Sequence, residues 1–167
     1  MNKIDIKSLT LSELTTYITN LGEPKFRAKQ IYEWLHCKQV FSFEEMTNIS
    51  TKFQQALNSM FYINSLKIVK KLVSKIDNTV KYLYELLDGE FVECVLMDYH
   101  HGTSICISSQ VGCKMGCDFC ASTIAGFVRN LLPSEMLDQI YCSAKDSGRK
   151  ISSVVMMGIG EPLDNYD

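Results

Sequence analysis

The chain has 167 residues, 46% of them hydrophobic, and a formal net charge of −2, which is enough apolar material for a core and the balance of a soluble globular protein. No apolar run approaches the roughly 20 residues of a membrane span, and the polar start MNKIDIKSLTLSEL lacks the apolar stretch of an export signal, so a cytoplasmic location with no membrane partner is expected. Seven cysteines, an odd number in a chain without such a signal, argue against a disulfide framework and for reduced thiols.

Ser8 to Asn20 reads as a short helix, with Ser8 or Thr10 as N-cap and an apolar stripe of Leu11, Leu14, Tyr17, Ile18 and Leu21 ended by Gly22. A second helix is predicted from near Pro24, which suits a first turn, through Phe26, Ala28, Ile31 and Leu35, and a third from about Ser50 to Phe61. The period changes after that. Ser65 to Ile76, Val80 to Leu87, Glu90 to Met97 and Ser104 to Ser109 read as strands, and Asp77-Asn78 and Asp88-Gly89 supply hairpin turns. A helix starts at Pro133 and closes at Gly148. Ile151 to Met157 is β-branched and almost continuously apolar, as expected of a parallel strand buried on both faces.

The fold class expected from this order is α/β: a small helical amino-terminal domain over 1–64, a β-rich connecting region over 65–103, and a first βα unit with the start of a second over 104–167. Charge divides in the same direction. Residues 1–75 carry eleven Lys and Arg against six Asp and Glu, and residues 76–167 carry six against thirteen. A basic excess of that size is usually a solvated face, and it is also what an RNA-contacting accessory domain shows.

The most informative segment is Cys113-Lys114-Met115-Gly116-Cys117-Asp118-Phe119-Cys120. Three thiolates on one loop can hold three irons of a cubane [4Fe-4S] cluster and leave the fourth iron free for a ligand. Structural zinc stays open on spacing alone, with Cys106, His100 or His101 as a fourth ligand. One βα unit later, Gly158-Ile159-Gly160-Glu161-Pro162 is a glycine-rich turn carrying one carboxylate, a weak signal in isolation. Glu93 on a strand reads as a solvated residue and Cys106 as a small packing residue when spacing alone is considered.

The CxxxCxxC loop with Phe119 before its last cysteine resembles the signature of radical S-adenosylmethionine (SAM) enzymes. Ser104 to Cys113, Ala121-Ser122-Thr123, Gly126 to Leu131 and Met157 to Pro162 together resemble the dual-specificity RNA adenine C2-methyltransferases, and Gly22 to Ile31 followed by Trp34 is similar to the helical accessory domain of that family. Several implications follow from the resemblance. Cys113, Cys117 and Cys120 would bind the [4Fe-4S] cluster, while Phe119, Gly160 and Glu161 would contact SAM. Glu93 would accept a proton. Cys106 would resolve a covalent protein–RNA adduct by forming a disulfide with the cysteine that first carries the methyl group. The substrates implied are 23S rRNA and tRNA, with an electron donor such as a flavodoxin-type protein. In the family, a 5′-deoxyadenosyl radical activates the methyl group for addition to an electron-poor ring carbon that ordinary methyl transfer does not reach.

No cysteine of this chain matches the methyl carrier, and the family's barrel continues beyond the position of Asp167. The expectation is therefore a truncated form, ending after its second barrel strand and inactive alone. An RNA-binding module with a zinc-filled or unused cysteine loop is the alternative.

Overall fold

The computed structural model describes residues 3–124 and 126–166. Two compact units make up the chain, Met1–Asn64 and Ser65–Asp167.

In the first unit, α1 (Leu11–Asn20), α2 (Phe26–His36) and α3 (Thr51–Met60) enclose a core that includes Ile6, Leu14, Ile18, Ile31, Leu35 and Leu57, all fully buried. Thr10, rather than Ser8, caps α1. Its hydroxyl accepts from Glu13 N at 3.3 Å, while the Glu13 carboxylate accepts from Thr10 N at 2.8 Å, a reciprocal capping box. Ser8 is occupied elsewhere, its hydroxyl donating to Asp5 Oδ2 at 2.6 Å. Gly22, at φ 81°, ends the helix as expected of a residue without Cβ. Helix α2 starts at Phe26, so Pro24 precedes the first turn instead of lying in it, although its carbonyl accepts from Arg27 N at 2.9 Å. The unit is not purely helical. β1 (Ile4–Asp5) pairs in parallel with β2 (Phe61–Tyr62), joining the beginning of the unit to its end.

The second unit is built on a five-stranded sheet. Its strands are β3 (Lys67–Val73), β4 (Val80–Glu85), β5 (Phe91–Tyr99), β6 (Gly102–Cys106) and β9 (Ile151–Val155), in that spatial order. The first four form antiparallel hairpins, and β9 lies parallel to β6. A parallel neighbour requires a crossover, which α4 (Pro133–Ser147) supplies, ending at Gly148 in the left-handed region at φ 67°. Helix α4 covers one face, burying Tyr82, Tyr84, Val92, Cys94, Leu96 and Ile105 in one cluster that Met136 and Ile140 pack against. Ser143 Oγ lies 2.8 Å from the Tyr84 hydroxyl and 3.3 Å from Cys94 Sγ, and the Tyr82 hydroxyl donates to Asp146 at 2.7 Å. Burial pushes both tyrosine pKa values upward.

Two findings differ from the sequence expectation. β9 is not buried on both faces: it ends the sheet order, and its side chains alternate between half-buried and exposed, with Val154 at 44%. The Ser104–Ser109 segment is also not one strand. β6 stops at Cys106, and after three linking residues β7 (Gln110–Gly112) begins and pairs antiparallel with β8 (Phe127–Asn130).

Candidate functional site

The β7–β8 ladder is the clamp from which the cysteine loop hangs. Gln110 faces Asn130 and Val111 faces Arg129, and Cys113 N donates to the Gly126 carbonyl at 3.0 Å, closing the loop at its base. Gly112 stands at φ 71°, and a Cβ there would collide with the Gly126 carbonyl, so the base of the clamp admits only glycine. Arg129 secures the outer strand. It donates to both carboxylate oxygens of buried Glu135 at 2.8 and 2.9 Å, and to Asp88 at 2.7 Å in the β4–β5 turn. Glu135 in turn accepts from Leu132 N at 2.8 Å, satisfying a free donor at the start of α4.

Within the loop, Cys113 is buried, Cys120 half-buried and Cys117 exposed, and all three are free thiols. The Ser122 hydroxyl and backbone N–H near Cys120 hold its pKa below the ordinary thiol value. Cys120 N donates to the Cys117 carbonyl at 3.0 Å, which curls the CxxC segment into a turn. Phe119 is 94% exposed. Among the described residues, no three His, Cys, Asp or Glu side chains converge as a metal-holding group, so the structure brings the three cysteines onto one short loop without gathering their sulfur atoms. The donor set fits a [4Fe-4S] cluster: three free thiols, none in a disulfide, on a segment whose ends are fixed and whose tip is exposed.

The second loop, after β9, lies against the residues that lead into the first. Ile107 N donates to the Val155 carbonyl at 2.9 Å, Gly158 N to Ile107 O at 3.0 Å, and Ser109 N to Ile159 O at 2.9 Å. Ser108 Oγ bridges Glu93 O, at 2.6 Å, and Ile159 N, at 3.0 Å. The glycines here serve this close approach. A Cβ on Gly158 would come within 2.7 Å of the Ile107 carbonyl, and one on Gly160, at φ 104°, within 2.6 Å of Gln110 Cβ. Glu161 accepts from Leu163 N at 3.0 Å, capping the short turn Pro162–Asn165 with one of its carboxylate oxygens. Ser109 is buried, and its hydroxyl has no hydrogen-bond partner among the described residues, which leaves one orphaned polar group at the junction of the two loops.

Glu93 and Cys106 share the sheet face opposite α4. Val95 pairs with Cys106 in register, so Glu93, two residues before Val95, projects to the same side. Both are half-buried there. The Glu93 carboxylate is ion-paired to Lys81 at 2.8 Å. Cys94 and Cys142 lie within the α4-covered cluster, and burial pushes the Cys94 thiol up to about 12. His100 and His101 sit at the β5–β6 turn, exposed, and His36 belongs to the first unit.

The residues missed in the sequence are those that join the loops: Gln110, Asp164, Asn165 and Lys114. The signal was present only as the run Ser108-Ser109-Gln110, three consecutive polar residues that are all buried. Among the described residues no helix is long and apolar enough to cross a membrane.

Comparison with known proteins agrees with this arrangement. The family model described as the ribosomal RNA large subunit methyltransferase N-terminal domain matches residues 4–63. A probable dual-specificity RNA methyltransferase RlmN of Lachnoclostridium phytofermentans is 58% identical over 165 residues, covering 99% of this chain and 46% of the relative. The protein of the same name from Alkaliphilus oremlandii is 54% identical over 167 residues, covering 100% of this chain and 48% of the relative. A crystal structure of a radical SAM methyltransferase from Sphaerobacter thermophilus superposes with a TM-score of 0.88 at 35% identity, over 98% of this chain and 49% of that one. The chain thus spans about half the length of the curated relatives it matches. The cysteine loop, the glycine-rich loop and the accessory unit all lie in the matched portion, so over its whole length the chain is similar to about half of proteins named as probable dual-specificity RNA methyltransferases RlmN.

Proposed function

We propose that this chain forms the cluster- and SAM-binding portion of a radical SAM methyltransferase that modifies C2 of adenine in 23S rRNA and tRNA. The observation that carries the reading is the junction of the two loops at the C-terminal ends of parallel strands β6 and β9, the sheet edge where α/β enzymes place their chemistry. In this reading residues 104–167 begin a partial (β/α) barrel, residues 65–103 extend its sheet, and residues 1–64 form an RNA-binding accessory domain.

Cys113, Cys117 and Cys120 would hold the cluster, and Phe119, Gly160 and Glu161 would contact SAM. Once bound, cluster and SAM supply the radical chemistry that an electron-poor ring carbon requires. Glu93 is the proton acceptor. Its carboxylate stays on the open face, oriented by Lys81. Cys106, on that same face, provides the thiol that resolves the protein–RNA adduct through a disulfide with the methyl-carrying cysteine. Cys94 and Cys142 are packing residues on the other side of the sheet. In the accessory unit, exposed Lys25 and Lys29 flank Phe26, which is 56% exposed with the Arg27 guanidinium 5.1 Å from its ring centroid, a combination of charge and stacking surface suited to RNA. The reductant is a flavodoxin-type protein, and the setting is the cytoplasm.

Anaerobic reconstitution of the chain with iron and sulfide tests this reading. A [4Fe-4S] spectrum abolished by Cys117→Ala is the result expected. Stoichiometric zinc with no such spectrum would overturn it in favour of a zinc-filled RNA-binding module.

A further inference from the structure

Gln110 is fully buried at the start of β7, and its carboxamide has a partner at every point that matters for its orientation. The oxygen accepts from Glu161 N at 3.0 Å, and the amide nitrogen donates to Asn130 Oδ1 and to Asp164 Oδ2, both at 2.8 Å. A carboxamide offers one acceptor and two donors in a plane, so this set of partners fixes which way it faces. The Asp164 carboxylate is shared. Lys114 Nζ, one residue past Cys113, lies 2.9 Å from the same Oδ2. Asn165 Nδ2 adds bonds to the carbonyls of Ser109, at 2.9 Å, and Leu131, at 3.0 Å.

We propose that Gln110 is a positioning residue that, through Asp164 and Lys114, couples the Gly158–Pro162 loop to the cysteine loop, so that a ligand held by one is kept in register with a cofactor held by the other. The proposal rests on the function proposed above for what the loops bind, while the coupling itself rests only on the contacts just described. Its chemistry is particular to glutamine. A carboxylate at this position would meet the acceptors of Asn130 and Asp164 at hydrogen-bond distance, and an apolar side chain would leave Glu161 N and Asp164 without their buried partner. Gly160 belongs to the same device, because its missing Cβ is what lets the loop close over the Gln110 side chain.

The test uses the full chain and three variants: Gln110→Leu, Asp164→Asn, and Gln110→Glu combined with Asp164→Asn, which exchanges the donor and the acceptor. Amide exchange in the metal-free chain is read over residues 158–164 and 113–120. After reconstitution, the SAM concentration needed to shift the cluster spectrum is read as well. Gln110→Leu is expected to retain cooperative unfolding and cluster uptake, to speed exchange over 158–164 about tenfold, and to raise the SAM concentration required about tenfold, as loss of a buried hydrogen-bond partner implies. Asp164→Asn is expected to loosen 113–120, because Lys114 loses its charged partner, and the double variant, which restores only the bond between positions 110 and 164, to recover part of the loss over 158–164 while 113–120 stays loosened. Wild-type exchange and SAM response in Gln110→Leu would overturn the proposal. Should Gln110→Leu fail to fold, an undisturbed 113–120 in Asp164→Asn would overturn it, and a loosened one would support it. If the wild-type chain takes up no cluster, the functional reading falls, and the exchange comparison in the metal-free chain still decides the coupling.

Discussion

Lys81 on β4 and Glu93 on β5 meet diagonally across the sheet face that α4 leaves open, Nζ to Oε2 at 2.8 Å, with Leu83 the residue directly opposite Glu93. Their side chains are 45% and 41% exposed, so water screens the pair and its contribution to stability is small. Lys81→Met is expected to change unfolding free energy by less than about 0.5 kcal/mol in urea titration. A loss of several kcal/mol would show that the pair holds the sheet together rather than orienting Glu93.

Arg129 and Glu135 form the opposite case. Glu135 is almost wholly buried, and both its oxygens are taken by one guanidinium. Removing the cation strands a buried carboxylate and also frees Asp88, so Arg129→Met is expected to cost about 2–3 kcal/mol, below the full range for buried pairs because Arg129 is partly exposed. Chemical denaturation measures this directly. An effect no larger than that of Lys81→Met would contradict the clamp described for β7 and β8.

Acid sensitivity follows from carboxylates held below their ordinary value of 3.8: Asp88 chiefly by its hydrogen bond from Arg129, and Asp146 chiefly by that from Lys71, then by Tyr82. Because the folded pKa is the lower one, the stabilisation is complete above 3.8 and disappears as pH falls through the folded values, where the unfolded chain has already taken up protons. Lys71→Met is expected to be less stable than wild type at pH 6, by no more than about 1 kcal/mol, and the difference to shrink as pH falls below 3.8. A difference that persists undiminished at the acid end would mean that Lys71 contributes through packing alone.

Thiol reactivity separates the cysteines by environment. Cys94 is enclosed, and burial pushes its pKa up to about 12, whereas Cys117 is exposed on its loop. In the metal-free native chain, alkylation of Cys117 is expected to outpace that of Cys94 by about a hundredfold or more, with Cys94 labelled only on unfolding. Mass spectrometry of timed digests reads both sites. Comparable rates would contradict the α4-covered core.

Much of the fold was legible where local chemistry decides it. Asp88-Gly89 specifies a tight turn and Pro133 and Gly148 the two ends of α4, and each of these stands where the sequence implies, while of the two N-cap candidates for α1 it is Thr10, completed by Glu13, that caps. The two-residue strands β1 and β2 are too short to show any period, and β7 and β8 pair across the whole cysteine loop, so their existence depends on a partner distant in sequence. The apolar run at Ile151 read as doubly buried because composition reports what a strand can pack against, not whether a neighbour is beside it. The site divides in the same way. Spacing singled out the three cysteines and, more weakly, the glycine-rich turn as candidates, but the joint between the loops passes through Gln110, whose contacts reach residues 51 and 54 positions away in sequence.

The central claim, that the two loops form one site, is tested most directly by titrating SAM into the reconstituted and the metal-free chain side by side, following binding calorimetrically and the cluster by electron paramagnetic resonance. The account predicts tight binding only when the cluster is present, together with a changed resonance. Equal binding with and without metal, or a cluster whose resonance ignores saturating SAM, would contradict it.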